Sequence, residues 1–439
     1  MKVSKYNFFY KGDSDNEWVL FNSRTGALSQ IEQEYYDALQ NLEKRGIPIQ
    51  DEEQCKQLKV NGYILDDDVD ELALVRYAFN KDKYDSTSLS LTIAPTMQCN
   101  FGCVYCFEKN SDHGSRMNVE VSEKIIDFIQ RKASTTSSLH ITWFGGEPLL
   151  HVDIIYSLSQ KINEICEENK ISYSANVVTN GYFLTKEVAQ KLVESKVDYV
   201  QITLDGPQDI HDTRRPLLGG QGTYKAIMEN VIACADIIPI VVRINVDVQN
   251  YKRINEIIDV FKENNVYDKV HPYLGHVEDA NDSYETSKCL SLERYSRFNL
   301  DFMLQNKQDI TADYPKPMGA YCGANMTNAY VIDADGYIYK CWNDIGIKEN
   351  RVGSLTDKNF EGNVALLNQY MLYDPTLDNR CIECKYLPIC MGGCPSRRLE
   401  NVESCVEQKY TLDQYLPECL RVILSKKSAN GEEKSDITE

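Results

Sequence analysis

Three cysteines, Cys99, Cys103 and Cys106, follow one another in the spacing C-x3-C-x2-C. A run typical of a β-strand, Leu89–Ala94, leads directly into them. Three thiolates on one short loop can bind three irons of a [4Fe–4S] cluster, whereas a structural zinc ion takes four protein ligands. Because no further Cys or His occurs before His113, the spacing favours a cluster with one open iron. A zinc site or a group of buried thiols is the alternative.

The spacing, the preceding strand and the aromatic Tyr105 before the third cysteine together resemble the radical S-adenosylmethionine (SAM) enzymes. In that family, the amino and carboxylate groups of SAM chelate the open iron. The resemblance implies that Cys99, Cys103 and Cys106 hold a catalytic [4Fe–4S] cluster. It also implies that reductive cleavage of SAM yields a 5′-deoxyadenosyl radical, which abstracts hydrogen from a substrate carbon.

Strands and helices alternate from Ser88 onward. The predicted strands are 88–96, 139–144, 173–178, 198–204, 238–248 and 270–274. Mostly apolar strands that alternate with helices predict an α/β fold with a parallel sheet covered on both faces. Right-handed crossovers would curl this sheet into a partial (β/α)6 barrel. Functional residues are then expected at the carboxyl ends of the strands.

Glycines and polar residues follow several of these strands, as the resemblance to radical SAM enzymes requires. Gly145, Gly146 and Glu147 resemble the family's second-strand motif, in which glycines let the backbone approach SAM and the glutamate pairs with its ammonium group. The resemblance assigns the remaining SAM contacts to later strand ends, at Asn180, Thr203, Asp205, Arg215 and Arg243. Ordinary turns and surface charges are the alternative for each of them.

A second set of cysteines occupies the C-terminal third, in the order Cys322, Cys341, Cys381, Cys384, Cys390, Cys394 and Cys405. With Gly336 in a turn that would close a hairpin, the pattern resembles the SPASM extension of radical SAM enzymes, which carries two further [4Fe–4S] clusters. By this resemblance, Cys381, Cys384, Cys390 and Cys405 hold the outer cluster, and Cys322, Cys341 and Cys394 hold the inner one. A zinc ribbon is the alternative.

The fourth ligand of the inner cluster is not evident from the spacing. Cys289 or Cys419 could complete either cluster, although the helical pattern around Cys419 favours a packed thiol. If the fourth position is open, its iron could bind a substrate thiolate.

The first eighty residues have a different pattern. Short strands are predicted at 6–10, 18–21 and 27–31, followed by helices at about 32–44 and 51–62, and the acidic run Asp66–Asp68 is interpreted as a solvated turn. This order resembles the winged-helix-like domain with which many peptide-modifying radical enzymes bind a leader peptide as an added strand. The alternative is a subdomain that only packs on the barrel.

Composition limits the remaining possibilities. The chain has 439 residues, 42% of them hydrophobic, and a net charge of −19, which argues against nucleic acid or an anionic membrane surface as partner. No apolar run reaches the length of a membrane span, and Met1–Tyr6 lacks the apolar core of a signal peptide. We therefore expect a cytoplasmic protein with reduced thiols. The predicted domains are 1–80 (leader recognition), 88–310 (barrel) and 311–425 (SPASM), with a disordered tail at 428–439.

Together these features predict a radical SAM maturase that binds SAM and three [4Fe–4S] clusters. Its predicted partners are a precursor peptide with a leader and an electron donor such as flavodoxin or ferredoxin, and its predicted product is a cysteine sulfur-to-carbon thioether. Trp342 follows Cys341 where the sulfatase-maturing branch carries an acid, which lowers the expectation of that activity. The alternatives are carbon–carbon crosslinking, maturation of a quinone cofactor on a protein, and a non-catalytic iron–sulfur electron-transfer or sensor protein.

Overall fold

The computed structural model describes residues 1–108 and 114–429. The N-terminal elements are β1 (Lys2–Val3), β2 (Asn7–Lys11), β3 (Glu17–Asn22), β4 (Leu28–Glu32), α1 (Gln33–Arg45), α2 (Glu52–Val60), β5 (Ile64–Leu65) and α3 (Glu71–Lys83). The central elements are β6 (Ser88–Ile93), α4 (Val119–Lys132), β7 (Ser138–Trp143), α5 (Val152–Asn169), β8 (Ser172–Thr179), α6 (Lys186–Glu194), β9 (Tyr199–Leu204), α7 (Gln208–Arg214), α8 (Tyr224–Cys234), β10 (Ile240–Val246), α9 (Asn255–Glu263) and β11 (Val270–His276). The C-terminal elements are α10 (Leu292–Gln305), β12 (Ala329–Ile332), β13 (Tyr337–Tyr339), β14 (Gly353–Ser354), α11 (Val364–Leu372), α12 (Leu387–Cys390), α13 (Pro395–Leu399) and α14 (Leu412–Ala429).

The chain forms two compact units that do not follow its order. The first contains residues 1–84, 292–322 and 373 onward, and the second contains 85–291 and 323–372. These units are defined by packing, whereas the domain boundaries predicted from sequence are defined by motifs. The tail predicted at 428–439 lies outside the described residues, apart from the last two positions of α14. Among the residues described, no helix has both the length and the apolar composition needed to cross a membrane.

The second unit is built on a sheet with the strand order β11-β10-β9-β8-β7-β6-β12-β13-β14. Strands β6 to β11 are parallel to their neighbours and are joined by helical crossovers, as the sequence predicts for a partial barrel. Strand β12 pairs in parallel with β6, and β13 and β14 continue antiparallel. The strands after Cys322 therefore extend the barrel sheet, and this extension was not predicted.

The two faces of the barrel sheet differ in composition, a difference that the prediction of mostly apolar strands did not include. One face is fully buried and apolar, as at Leu91, Ile141 and Ile202. On the alternate positions the strands carry polar side chains, so that Thr142 Oγ1 donates to Asn176 Oδ1 at 3.0 Å. Successive residues of a strand point to opposite faces, and a count of apolar residues alone hides that alternation. The polar face leads to the strand ends where the predicted site residues lie.

The hairpin predicted after Cys322 is present. Strands β12 and β13 are antiparallel, and Asp333 lies at the start of the turn between them. The Asp333 carboxylate accepts hydrogen bonds from the backbone N–H groups of Asp335 and Tyr337. Gly336 has a φ of +84°, which favours glycine because it has no Cβ. The prediction of this turn is confirmed.

The first unit contains the smaller sheet, with the order β2-β3-β4. One face of this sheet packs in an apolar core with α14, to which Phe21 and Leu416 both contribute. The other face packs with α1 and α2, through residues such as Leu20 and Leu39. Alternation along the strands therefore places one core on each side of the sheet.

Helix α3 was not predicted. It begins shortly after the acidic run Asp66–Asp68. Asp70 is its N-cap, and the Asp70 side chain accepts a hydrogen bond from Ala73 N at 3.0 Å. The buried side of α3 carries Val75 and Phe79. This helix contributes to the C-terminal cysteine site described below.

Candidate active site and cysteine cavity

The loop after β6 carries the first three cysteines and is held by backbone hydrogen bonds to the segment after α7. Gly102 N donates to Pro216 O at 2.9 Å, and Val104 N donates to Arg214 O at 3.0 Å. Burial raises the pKa of Cys99 and Cys106 to about 12, and the charges of neighbouring thiolates add to the shift. The three thiols therefore lie close enough to interact electrostatically.

This donor set fits a four-iron cluster. Buried thiols with raised pKa values stay protonated unless a cation stabilises the thiolates, and iron supplies such a charge. Burial also raises the pKa of Cys103, against the opposing charge of Arg215. Within residues 1–108 and 114–429, no three His, Cys, Asp or Glu side chains are arranged as ligands of a single metal ion.

Glu147 lies directly beyond β7 and is completely buried. Its Oε1 accepts hydrogen bonds from Leu149 N at 2.9 Å and Thr179 Oγ1 at 2.7 Å, and its Oε2 accepts one from Asn180 N at 2.7 Å. Burial raises the pKa of Glu147, whereas these hydrogen bonds lower it. The carboxylate is thus fixed between the ends of β7 and β8, with acceptor capacity left on Oε2.

Gly145 and Gly146 leave no room for a side chain. A Cβ at Gly145 would meet the backbone oxygen of Thr96, and a Cβ at Gly146 would meet that of Gln98. Both oxygens belong to the loop that leads into Cys99. The two glycines therefore let the end of β7 approach the cysteine loop, as glycines do where two backbones come close.

The Tyr105 hydroxyl joins several of the predicted site residues. It donates to Asp205 Oδ1 at 2.7 Å and accepts from Arg215 Nη1 at 2.9 Å and Asn245 Nδ2 at 3.1 Å. Burial raises the pKa of Tyr105 well above its usual range. These contacts bring the ends of β9 and β10 and the segment after α7 to the aromatic residue before Cys106.

The other predicted contacts lie around this network. Asn180 Nδ2 donates to Asn100 Oδ1 at 2.8 Å, next to Cys99. Thr203 is paired in register with Arg243 on the neighbouring strand. Arg243 Nε donates to Asn245 Oδ1 at 2.8 Å. All eight residues predicted to contact SAM therefore lie in the second unit. Six of them lie at strand ends, whereas Arg215 follows α7 and Arg243 lies within β10.

Three further residues belong to this network and were missed by sequence reasoning. Arg214 Nε donates to Asp205 Oδ2 at 2.7 Å, and its Nη1 donates to Asp247 Oδ2 at 2.5 Å. The Tyr284 hydroxyl donates to the same Asp247 oxygen at 2.7 Å. Asp247 follows β10 as Asp205 follows β9, so its position at a strand end was a usable signal. Tyr284 lies in a loop, and no sequence signal pointed to it.

A second group of cysteines lines a cavity of about 370 Å³ in the first unit. Its thiols are those of Cys381, Cys384, Cys390 and Cys405. Burial raises the pKa of Cys381 and Cys390 to about 11. Arg398 is buried beside them, with Nε donating to Gly392 O at 2.7 Å and Nη2 lying 3.6 Å from Cys405 Sγ. Four thiols around one cavity fit the donor set of a cluster.

N-terminal residues pack against residues that line this cavity. Tyr6 and Phe79 share an apolar core with Cys381, Leu387 and Met391. Hydrogen bonds reinforce the contact on the same side. Ser23 Oγ donates to the carbonyl of residue 385 at 2.6 Å, and Lys5 Nζ donates to the carbonyl of residue 382 at 2.9 Å. The cysteine cavity therefore depends on residues nearly the whole length of the chain away.

The remaining predicted ligands lie in both units. Cys322 and Cys394 belong to the first unit, and Cys341 follows β13 in the second. Cys419 is completely buried in the apolar core around α14, as expected of a packed thiol. Cys289 lies within electrostatic reach of Asp279 and Asp247, and burial raises its pKa.

Comparison with known proteins agrees with this arrangement. Residues 93–261 match the family profile described as the radical SAM superfamily. A cysteine-type anaerobic sulfatase-maturating enzyme of Clostridium perfringens is 24% identical over 370 residues, which cover 74% of this chain and 94% of the relative.

Two solved structures share the fold. The enzyme anSMEcpe, solved with bound AdoMet and the Kp18Cys peptide, has a TM-score of 0.58 and 21% identity, covering 78% of this chain and 99% of that one. Streptococcus suis SuiB, solved with its precursor peptide SuiA, has a TM-score of 0.53 and 17% identity, covering 92% of this chain and 98% of SuiB. The predicted fold class and enzyme class are confirmed. Residues 93–261 are therefore similar to the radical SAM superfamily, and the chain is similar over most of its length to a sulfatase-maturating enzyme.

Proposed function

We propose that this enzyme modifies a ribosomally made precursor peptide and forms a thioether between a cysteine sulfur and a carbon of the same peptide. The leader of the peptide binds the N-terminal sheet, the barrel holds SAM and the reacting residue, and the SPASM-type cysteines hold two auxiliary clusters. The observation that carries the peptide substrate is the open edge of strand β4.

Backbone pairing identifies which groups of β4 face outward. Asn22 N donates to Ala27 O, and Gln33 N donates to Asn16 O. In an antiparallel ladder the bonded positions alternate, so the exposed Gln30 directs its backbone N–H and C=O groups away from β3. Among the described residues, we find no hydrogen bond that pairs these outward groups. They can pair with the backbone of an added leader strand.

The opposite edge of the same sheet is less suitable. The outward carbonyl of Asn7 on β2 accepts a hydrogen bond from Lys385 Nζ at 3.1 Å. The ring of Phe8 lies 4.8 Å from that of Tyr386, measured between centroids. Because the C-terminal segment contacts β2 in this way, we assign leader binding to β4.

The barrel residues have separate roles in the proposed reaction. Cys99, Cys103 and Cys106 hold the catalytic cluster, and Glu147 accepts a hydrogen bond from the SAM ammonium group. Asn180, Thr203, Asp205, Arg215 and Arg243 contact the remainder of SAM at the strand ends. When bound, the cluster and SAM supply the radical that abstracts hydrogen. The protein orients the reacting carbon and excludes water.

Two auxiliary clusters complete the proposal, for three [4Fe–4S] clusters in all. The cavity formed by Cys381, Cys384, Cys390 and Cys405 supports the outer cluster. The inner cluster takes Cys322, Cys341 and Cys394. The burial of Cys419 in an apolar core favours an inner cluster without a fourth cysteine from α14. An iron left open there could bind the peptide thiol, which supports thioether formation over carbon–carbon crosslinking. Flavodoxin or ferredoxin is the proposed electron donor, in a reducing cytoplasm.

Co-expression with the short open reading frames next to the gene tests this function. We expect one of the encoded peptides to lose one H2 per crosslink, and the loss to vanish when its cysteine is changed to serine. That serine peptide should still stimulate formation of 5′-deoxyadenosine. A crosslink that survives the cysteine change would favour carbon–carbon bond formation.

A second candidate function is maturation of a sulfatase, because the Clostridium relative carries that name. The region after Cys341 argues against it. Trp342 follows the cysteine, and the nearest acid, Asp344, is buried and accepts hydrogen bonds from Asn350 Nδ2 at 2.8 Å and Tyr370 OH at 3.1 Å. Incubation with a sulfatase-derived cysteine peptide distinguishes the two functions, since only a sulfatase-maturating enzyme would oxidise that cysteine side chain to an aldehyde.

A further inference from the structure

The loop between β11 and α10 contains a tight turn built from two non-glycine residues in the left-handed conformation. Asn281 has a φ of +57°, and Asp282 has a φ of +52°. Asn and Asp tolerate this region better than other residues with a Cβ, yet two in succession are uncommon. Such a turn persists where surrounding contacts hold it in place.

The contacts of Asn281 join two cysteine loops. Its Nδ2 donates to Phe107 O at 3.2 Å and to Asn343 O at 2.8 Å. Phe107 follows Cys106 directly, and Asn343 lies two residues after Cys341. One amide nitrogen therefore connects the loop of the catalytic cysteines to the loop that follows Cys341. Nearby, Ser283 Oγ donates to the carbonyl of Tyr105 at 3.3 Å.

Aromatic rings connect the same two loops by a second route. The rings of Phe107 and Phe144 are stacked with centroids 6.2 Å apart, and Phe144 and Trp342 are tilted with centroids 4.9 Å apart. Phe144 immediately precedes Gly145 of the predicted SAM motif. The rings pack without directional bonds, so the amide of Asn281 is the contact that fixes register between the loops.

We propose that Asn281 is a positioning residue that fixes the catalytic cysteine loop relative to the loop of Cys341. The inference rests on the proposed function in one respect, namely that Cys341 is a ligand of an auxiliary cluster. A displacement of about 1 Å at reacting groups can cost about a hundredfold in rate. The amide of Asn281 therefore sets how well hydrogen abstraction and bond formation are coupled.

The test compares Asn281→Asp with Asp282→Asn in the reconstituted full-length enzyme. Both changes keep the size of the side chain and its tolerance of a left-handed backbone. Asn281→Asp replaces the donating amide with a carboxylate oxygen that faces two carbonyl oxygens. Loss of these hydrogen bonds corresponds to about tenfold faster hydrogen exchange in residues 104–108 and 341–345. Asp282→Asn should leave exchange in both loops unchanged.

A spectroscopic readout separates positioning from general stability. In the reduced enzyme, Asn281→Asp should alter the magnetic interaction between the catalytic and auxiliary clusters, while the iron content and the spectrum of the SAM-bound catalytic cluster stay as in the wild type. Unchanged exchange and unchanged magnetic interaction in this variant would overturn the proposal.

Two other results of these experiments also decide the role of Asn281. If Asn281→Asp exchanges rapidly throughout, Asn281→Gly replaces it, because glycine keeps the backbone conformation and removes only the amide. Faster exchange confined to the two loops then supports the proposal, and unchanged exchange overturns it. If the wild type holds iron for one cluster only, the assignment of Cys341 to an auxiliary cluster fails, and the exchange measurement alone still decides the role of Asn281.

Discussion

The two cysteine sites are built in different ways. Cys99, Cys103 and Cys106 lie on one loop, and their neighbours are the strand ends of the same unit. The cavity in the first unit takes thiols from residues 381 to 405, and two of its lining residues, Cys381 and Leu387, pack in a core with residues from the first eighty of the chain. A site of the first kind can be recognised from a short motif, whereas a site of the second kind depends on packing between distant segments.

This difference gives the N-terminal region a second role. If it served only to bind a leader, it could be removed without consequence for the rest of the protein. Instead, Tyr6 and Phe79 contribute to the core that contains Cys381. A truncation would therefore remove the proposed leader site and disturb the packing around the cavity together, and point substitutions are needed to separate the two.

The largest expected effect of a single substitution is at Phe79. Phe79→Ala should lower the free energy of unfolding of the first unit by about 3–5 kcal/mol, because a completely buried ring is lost from the core. Iron should be lost from the outer site and retained at the catalytic loop. Denaturant unfolding and iron analysis test this, with the exposed Tyr77→Ala on the same helix as control. Equal stability of the two variants would contradict the proposed support of the cavity.

Glu147→Gln probes the site of the first kind. The substitution keeps the shape of the side chain but removes the charge that would face the SAM ammonium group. In addition, the new amide NH2 would face backbone N–H groups that now donate to the carboxylate. A charged hydrogen bond contributes about 1.5–3 kcal/mol. SAM should therefore bind about 10- to 100-fold more weakly in equilibrium titrations. The exposed Glu123→Gln is the control, and unchanged SAM affinity in Glu147→Gln would remove this residue from the binding site.

Gln30→Pro tests leader binding without disturbing the cavity. Proline is tolerated on an edge strand where the N–H faces solvent, and it removes the outward donor of Gln30. Peptide affinity, measured by calorimetry or fluorescence anisotropy, should fall about tenfold, because the hydrogen bond from the Gln30 N–H to the leader is lost and the adjacent pairing is weakened. Gln30→Ala keeps the N–H and should bind like the wild type. If the proline variant binds the peptide as tightly as the wild type, the leader does not bind at strand β4.

The smallest effect concerns pH. Burial lowers the pKa of His211 to about 4, and its Nδ1 accepts a hydrogen bond from Asp205 N. The folded state therefore favours the neutral imidazole, whereas the unfolded chain binds a proton below about pH 6.5. The contribution of His211 to the free energy of unfolding is fully present above about pH 6.5 and is lost as the pH falls toward about 4. Between pH 7.5 and 5.5 the contribution should drop by about 1.3 kcal/mol. His211→Gln should flatten this dependence in denaturant unfolding, whereas the exposed His271→Gln should not.

Sequence patterns predicted most of the barrel. The strands that precede Cys99, Glu147 and Asp205 were placed within about three residues, because each has a short apolar run followed by a turn. The hairpin turn at Gly336 was predicted for a similar reason, since its residue types are specific to turns. Residues of this kind adopt the locally predicted structure whatever the rest of the chain packs against.

Other features could not be read from local patterns. Helix α3 was missed because no helix start was assigned after the acidic run Asp66–Asp68, although Asp70 caps the helix. Tyr284 reaches the network at the strand ends from a loop, and a loop tyrosine has no sequence signal for such a contact. The pairing of β12 with β6 joins segments more than two hundred residues apart. Each of these depends on tertiary packing.

The most direct test of the account compares iron content and SAM cleavage in two sets of cysteine variants. The wild type should contain about twelve irons in three clusters. Changing Cys99, Cys103 and Cys106 to Ala should remove about a third of the iron and all formation of 5′-deoxyadenosine. Changing Cys384 and Cys405 to Ala should remove a similar share of iron and leave SAM cleavage without peptide intact. Zinc in place of iron, or unaltered SAM cleavage in the first set, would contradict the account.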